Sequence, residues 1–154
     1  MIDFYLITPD HALWEKTIQL AQNCSWRAGP ILAQKMQKRD FREQERVCVA
    51  CSGVEPVGFC TFAERDELPE NNPITPFIGF MFVSEPYRGQ RLSEQMIQKV
   101  LSYAKVLGYQ QIYIMSGELG LYEKYGFQKL GEYETIYGTV DQLFVLPLYE
   151  SDSI

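Results

Sequence analysis

The sequence has almost none of the residue patterns that hold metal ions. Its only histidine is His11, and its four cysteines include a single Cys-x-x-Cys pair, Cys48 and Cys51. That pair falls in a strand-like run, where residues at this spacing point to opposite faces of a sheet. We therefore expect no metal site, and we expect the cysteines to be buried, reduced thiols.

Basic charge and long apolar runs are also scarce. The formal net charge of -6 argues against nucleic acid or an anionic membrane as the main partner. No apolar run is long enough to cross a bilayer. Asp3 interrupts the N-terminus and no basic region precedes an apolar one, so we expect no signal peptide and a cytoplasmic location.

The chain does contain enough apolar material for a folded domain. Hydrophobic residues make up 46% of its 154 residues, and there is no linker or repeat, so we expect a single domain spanning residues 1–154. Apolar periodicity predicts helices at residues 8–23, 30–40, 92–107 and within 116–125, and strands at residues 2–7, 47–52, 57–63, 77–83, 111–115, 127–130 and 142–148. The helix between strands 77–83 and 111–115 predicts that these two strands are parallel.

One stretch, residues 75–107, combines an apolar strand, a tight turn and a long amphipathic helix. In the turn, Gly89 lets the backbone approach a ligand, and the first N–H groups of the helix lack partners. Arg88 and Arg91 add fork-shaped donors suited to phosphate. The turn therefore indicates an anion site, although an ordinary strand-to-helix crossover with surface arginines has the same pattern. It matches neither the dinucleotide fingerprint nor a Walker A loop.

Two segments of the chain resemble the GNAT family, the Gcn5-related N-acetyltransferases. Residues 83–93, VSEPYRGQRLS, are similar to the family's acetyl-CoA signature Q/R-x-x-G-x-G/A, counted from Arg88. Arg91 stands where glycine is usual, and Ser93 where glycine or alanine is usual. Residues 120–127, GLYEKYGF, are similar to the family's Tyr-Glu-Lys-x-Gly-Phe element.

The resemblance implies the GNAT version of an α/β (α+β) fold. This is a central, mixed, mostly antiparallel sheet with a splayed parallel strand pair and helices on both faces. It also implies acetyl-CoA as co-substrate and a primary amine of a small molecule or peptide as acceptor. The departures at Arg91 and Ser93 leave a non-catalytic CoA-binding or regulatory module as the alternative. A nucleotide-binding protein would need a base-reading element that the sequence lacks, and a homodimer stays open.

The resemblance also implies roles for particular residues. The diphosphate of acetyl-CoA would lie on the amides of residues 88–93, and the pantetheine arm would pair with the backbone at Phe82 and Val83. Tyr122 would protonate the leaving thiolate, with Tyr125 as a competing phenol. The implied cofactor-binding residues are Phe82, Val83, Arg88, Gly89, Gln90, Arg91, Leu92, Ser93 and Lys124.

The acceptor side is less well defined by the sequence. Trp26, in the break between the first two helices, either contacts the substrate or belongs to the core. The proton of the amine would go to a carboxylate or to a chain of waters. Glu64, Asp66 and Glu67 lie in the acidic loop at residues 64–73, and we expect Asp66 to contact the substrate. No spacing singles out one of these three carboxylates, and their position in a polar loop favours an ordinary solvated charge for each.

Overall fold

The computed structural model describes residues 1–149, which contain one seven-stranded sheet in the order β1-β2-β3-β4-β5-β7-β6. The strands are β1 Ile2–Ile7, β2 Arg46–Ser52, β3 Glu55–Ala63, β4 Phe77–Val83, β5 Gln111–Ser116, β6 Gln128–Glu134 and β7 Val140–Pro147. The helices are α1 Trp14–Asn23, α2 Gly29–Gln37, α3 Leu92–Val106 and α4 Leu121–Lys124, and a short 3-10 turn at Glu85–Tyr87 precedes α3.

The only parallel neighbours in this sheet are β4 and β5, which α3 connects. Their pairing is short, because only Phe77 with Tyr113 and Ile78 with Ile114 are in register. Beyond Ile78 the two strands diverge and leave a gap in the middle of the sheet. This arrangement confirms the predicted fold, a mixed and mostly antiparallel sheet with a splayed parallel pair.

A bulge in β4 accompanies the divergence. Phe59 of β3 pairs with Phe82 and Thr61 pairs with Gly79, so two residues of β4 lie opposite one residue of β3. One of these two, Phe80, has a φ of 49°, which is rare for a residue with a large side chain. An extra residue of this kind bends and twists the strand that carries it. The bulge therefore turns the end of β4 away from β5.

Both faces of the sheet are covered by helices. The apolar face of α3 packs on one side, and α1 and α2 pack on the other. Cys48 belongs to the first of these cores and Cys51 to the second, which confirms that the two thiols point to opposite faces. All four cysteines are free thiols, and Cys24 is the only one that is not fully buried.

The first helix begins later than predicted. The His11 N–H bonds the Thr8 carbonyl at 2.9 Å, and Nδ1 of His11 accepts the N–H of Leu13 at 3.0 Å. Because this side chain takes a backbone donor locally, residues 8–13 form turns and α1 starts at Trp14. The prediction of a helix from residue 8 was wrong for this reason.

Other observed boundaries of helices and strands differ from the predicted ones by a few residues. The second helix ends at Gln37, because Arg39 takes a left-handed φ of 54° that stops it before residue 40. Ser52 pairs with Glu55, so the turn between β2 and β3 has two residues and Pro56 lies inside β3. The last hairpin is longer than predicted on both of its strands.

Two valines on α3 allow a test of which face of this helix is buried in the core. Val100 is fully buried and Val106 is 84% exposed. We expect Val100→Ala to lower the free energy of unfolding by about 2 kcal/mol, because two buried methyl groups are lost and a cavity remains. The matched change Val106→Ala should alter it by less than about 0.5 kcal/mol. Urea unfolding followed by circular dichroism measures both, and equal effects would contradict the packing of α3.

Candidate active site

The gap between β4 and β5 leads into a cavity of about 720 Å³. Its walls come from the break between α1 and α2, the end of β4, the turn before α3, the start of α3 and the segment around α4. The lining residues are Ser25, Trp26, Met81, Phe82, Val83, Tyr87, Arg88, Gly89, Arg91, Leu92, Ser93, Glu118, Leu121 and Tyr125. A ligand in this cavity would touch segments that are far apart in the sequence.

Most of the predicted site residues meet at this cavity. Those that line it are Trp26, Phe82, Val83, Arg88, Gly89, Arg91, Leu92 and Ser93. Gln90 and Lys124 are exposed and stand outside its lining. Tyr122 and Asp66 also stand outside the lining, in the protein around the gap.

The turn before α3 has left-handed backbone at two points. Gly89 has a φ of 85°, and Arg91, the N-cap residue of α3, has a φ of 61°. The left-handed region costs a residue with a side chain about 1–2 kcal/mol. This cost explains why glycine suits the position of Arg91 in the GNAT signature. The Arg91 side chain is 82% exposed and lies 3.6 Å from Glu94, so it is free to reorient toward a ligand.

The free backbone donors of this turn lie on the helix side of it. The N–H of Arg88 already donates to the Glu85 carbonyl at 3.2 Å. The N–H groups of Leu92 and Ser93 belong to the first turn of α3 and have no acceptor within the helix. The positive end of the helix dipole adds to them, so an anion is favoured at the start of α3.

Val83 directs its backbone polar groups into the gap. The N–H of Ser84 donates to the Val57 carbonyl at 2.8 Å, and successive residues of an antiparallel strand point alternately toward and away from their partner. Val83 therefore faces away from β3. Its carbonyl accepts a hydrogen bond from Nε of Arg88 at 2.9 Å, and the guanidinium lies 5.8 Å from the Phe82 ring. Phe82 contributes its ring to the wall, since alternation turns its backbone toward β3.

Trp26 is both packed and accessible. Its ring stacks on Phe82 with centroids 6.2 Å apart and an angle of 11°, and it also contacts Phe59 and Phe80. It lines the cavity as well. Trp26 therefore belongs to the core and also lines the cavity, and its contact with a substrate stays a prediction.

The two candidate phenols have different surroundings. Tyr122 is 5% exposed and packs against Phe127 and Phe144, and burial raises the pKa of its hydroxyl. Tyr125 lines the cavity, and its hydroxyl lies 3.0 Å from Oγ of Ser93. From the sequence, Tyr125 was the competing phenol, at a position that is usually apolar in the GNAT element. Its phenol at a usually apolar position was the signal that it reaches a polar partner.

Asp66 lies where β4 leaves β5. Its Oδ1 is 2.6 Å from the point where a Cβ on Gly79 would stand, and Oγ1 of Thr61 is 3.1 Å from the same point. Only glycine at residue 79 therefore allows the carboxyl group to lie against the strand. Asp66 is partly exposed as a residue, but its carboxyl group is turned inward, and burial raises the pKa of that group to about 7.

Residues 1–149 contain neither a metal-binding cluster of side chains nor a helix that could span a membrane. Nowhere in that range are three or more His, Cys, Asp or Glu side chains grouped so that they would hold a metal ion. Within the same range, each helix is too short or too polar to cross a bilayer.

The fold has two parallel strands that diverge and leave an open strand edge, and a helix start that favours anions lies beside that edge. These two features together are the basis for assigning the protein to a class. A family model described as the acetyltransferase (GNAT) family matches residues 11–127. This match covers most of the chain, so the protein belongs to the GNAT family of acetyltransferases. No curated protein matches the chain in sequence.

Solved structures share the fold at low sequence identity. They include an aminoglycoside 6'-acetyltransferase type Ii, at 15% identity and a TM-score of 0.74 over 97% of this chain and 99% of that one. An aminoglycoside 6'-N-acetyltransferase in complex with coenzyme A has 12% identity and a TM-score of 0.72 over 98% and 99%. An N-acetyltransferase from Staphylococcus aureus Mu50 has 13% identity and a TM-score of 0.70 over 96% and 98%. At these identities the likeness shows the fold alone.

The left-handed backbone at Arg91 leads to a stability test. We expect Arg91→Gly to raise the free energy of unfolding by about 1 kcal/mol, because the relieved strain exceeds the added freedom of the unfolded chain. Gln90→Gly is the matched control, since residue 90 is not in the left-handed region. The control should lose stability. Urea unfolding measures both variants, and a loss of stability in Arg91→Gly would refute strain at this residue.

Proposed function

We propose that the protein is an acetyl-CoA-dependent N-acetyltransferase that acts on a primary amine of a small molecule or peptide. The observation that carries the proposal is the cavity at the β4–β5 gap, which joins the open backbone edge at Val83 to the start of α3. Membership of the GNAT family supports acetyl transfer as the reaction class. The related fold solved with coenzyme A supports the identity of the donor.

Different parts of the cleft would hold the diphosphate and the pantetheine arm of acetyl-CoA. The diphosphate would accept hydrogen bonds from the N–H groups of Leu92 and Ser93, with Gly89 allowing close approach. The pantetheine arm would pair with Val83 as an added strand does. Because Arg88 holds the Val83 carbonyl in this structure, its guanidinium would swing to a phosphate when the arm binds. Arg91 is exposed and would serve the same anion.

The transfer itself needs few side chains. The lone pair of the neutral amine attacks the thioester carbonyl carbon, and the N–H of Val83, which faces the gap, would stabilise the oxygen as it becomes negative. The bond from carbon to sulfur then breaks, and Tyr122 would give its proton to the thiolate. The phenol is protonated at neutral pH, as a proton donor must be, and because burial raises its pKa and weakens it as an acid, the proton would move only as charge develops on the sulfur.

A thiol-release screen with acetyl-CoA tests the proposed function. We expect acetyl-CoA-dependent release of CoA with at least one class of amine among polyamines, aminoglycosides, amino acids and peptides. Aminoglycosides are included because two proteins of the same fold act on them. The control omits the amine and measures hydrolysis alone. Binding of CoA by calorimetry without turnover on any amine would favour the non-catalytic CoA-binding module instead.

The two phenols are separated by a matched pair of variants. We expect Tyr122→Phe to lower turnover by roughly ten- to a thousandfold, because the leaving thiolate loses its proton donor, and to leave the dissociation constant of CoA unchanged. Tyr125→Phe should alter turnover far less, since its hydroxyl is held by Ser93. Steady-state kinetics with calorimetry measure both. The opposite order of effects would assign the proton donor to Tyr125.

A further inference from the structure

We propose that Asp66 is the group that takes the proton from the acceptor amine. The proposal rests on the acetyl transfer proposed above and assigns the base of that reaction. No feature of the sequence selected one of the three carboxylates of the acidic loop as the base. In the structure they have different partners, and Asp66 alone lies against the strand that borders the gap.

Glu64 and Glu67 are engaged elsewhere. A carboxylate oxygen of Glu64 lies 2.9 Å from the Arg42 guanidinium, so this side chain is engaged in an ion pair. Glu67 carries a backbone contact to the last hairpin, where Ile136 N–H donates to its carbonyl at 2.7 Å. Burial and a side-chain hydrogen bond with Asp141 raise the pKa of Glu67 well above its usual range, so its carboxyl group is engaged with that neighbour.

Asp66 lies next to the point where β4 and β5 stop pairing. Gly79, against which its carboxyl group lies, is the first residue of β4 beyond the last pair with β5 and directly precedes the bulge at Phe80. Side chains alternate along β4, and Ile78 belongs to the core beneath α3. Gly79 and Asp66 therefore lie on the other face, on the side of α1 and α2.

Tyr122 approaches the gap from the opposite side. It packs in the same core as Ile78, beneath α3, whereas Gly79 and Asp66 lie on the other face of β4. The proposed acid and base therefore lie on opposite faces of the sheet, behind the residues that line the opening. A thioester carbonyl held in that opening would have Tyr122 on its sulfur side, and an amine arriving beside Asp66 on the other.

The proton balance of the step follows from this arrangement. The amine nitrogen forms a bond to the carbonyl carbon and becomes positive, and Asp66 takes one of its protons. The bond from carbon to sulfur breaks, and sulfur receives the proton of Tyr122. A water relays a proton from Asp66 back to the phenol. The net result is one amide, one thiol and the transfer of one proton from nitrogen to sulfur.

The charges around Asp66 suit a base that works near neutral pH. Burial raises the pKa of Asp66 to about 7, Lys35 of α2 lowers it, and Asp141 of β7 raises it. Glu67, Tyr122 and Tyr137 are the other titratable groups that feel its charge. Because the ionised carboxylate is the active form, turnover should rise as pH increases through about 7.

The test compares pH profiles of turnover on an amine that the thiol-release screen identifies. We expect Asp66→Asn to lower turnover at pH 7 by roughly 10²- to 10³-fold and to abolish the rise near neutral pH, with an unchanged dissociation constant for CoA. Glu64→Gln is the matched control and should keep the wild-type profile. Gly79→Ala keeps the carboxyl group but displaces it, so it should lower turnover as well.

A second measurement does not depend on activity. Infrared titration of the carboxyl band, as the difference between the wild-type protein and Asp66→Asn, should show a group titrating near pH 7. If the difference spectrum shows a group titrating near the ordinary aspartate value of about 4 instead, the proposal is overturned. An Asp66→Asn protein with wild-type turnover and a wild-type pH profile would also overturn it. If the variant does not fold, the carboxyl band of the wild-type protein alone is titrated and judged in the same way. Absence of transfer by the wild-type protein itself would instead refute the proposed function, and the assignment of Asp66 with it.

Discussion

The left-handed backbone at Phe80 interrupts the pairing of β4, and the candidate site depends on that interruption. Two parallel strands connected by a helix would otherwise pair along their whole length and close the middle of the sheet. With the bulge, pairing stops at Ile78, and Val83 faces an opening with its N–H and with a carbonyl that the Arg88 side chain bonds. Such a conformation costs of the order of 1–3 kcal/mol. Packing of Phe80 and Phe82 against Trp26 holds it in place.

Backbone strain is concentrated around the cavity. Among residues 1–149, three residues other than glycine have positive φ, and two of them, Phe80 and Arg91, border the cleft. The third, Arg39, only ends α2. Strained positions persist where the surrounding structure holds them, and they commonly accompany ligand sites. At Arg91 the strain leaves the first amides of α3 open beside an exposed guanidinium.

Burial raises the pKa of one titratable group on each side of the gap. On the α3 side it raises the pKa of Tyr122 and keeps the phenol neutral. On the other side it raises the pKa of Asp66 to about 7, where the carboxyl group both accepts and releases protons at neutral pH. A low-dielectric surrounding disfavours the charged form of each group, so the same physical effect keeps the proposed acid protonated and brings the pKa of the proposed base near neutrality.

The sequence by itself determined the order of the elements, the parallel pair, the opposite faces of Cys48 and Cys51, and the anion-favouring turn at residues 88–93. These features depend on local periodicity and turn chemistry, which neighbouring residues carry. Only the tertiary structure decided the bulge at Phe80, the contact of Arg88 with Val83, the place of Tyr125 on the cavity wall and the position of the Asp66 carboxyl group against Gly79. Each of these depends on residues from distant segments that meet only after folding, such as Gly79 with Asp66, so no local pattern in the chain could encode them.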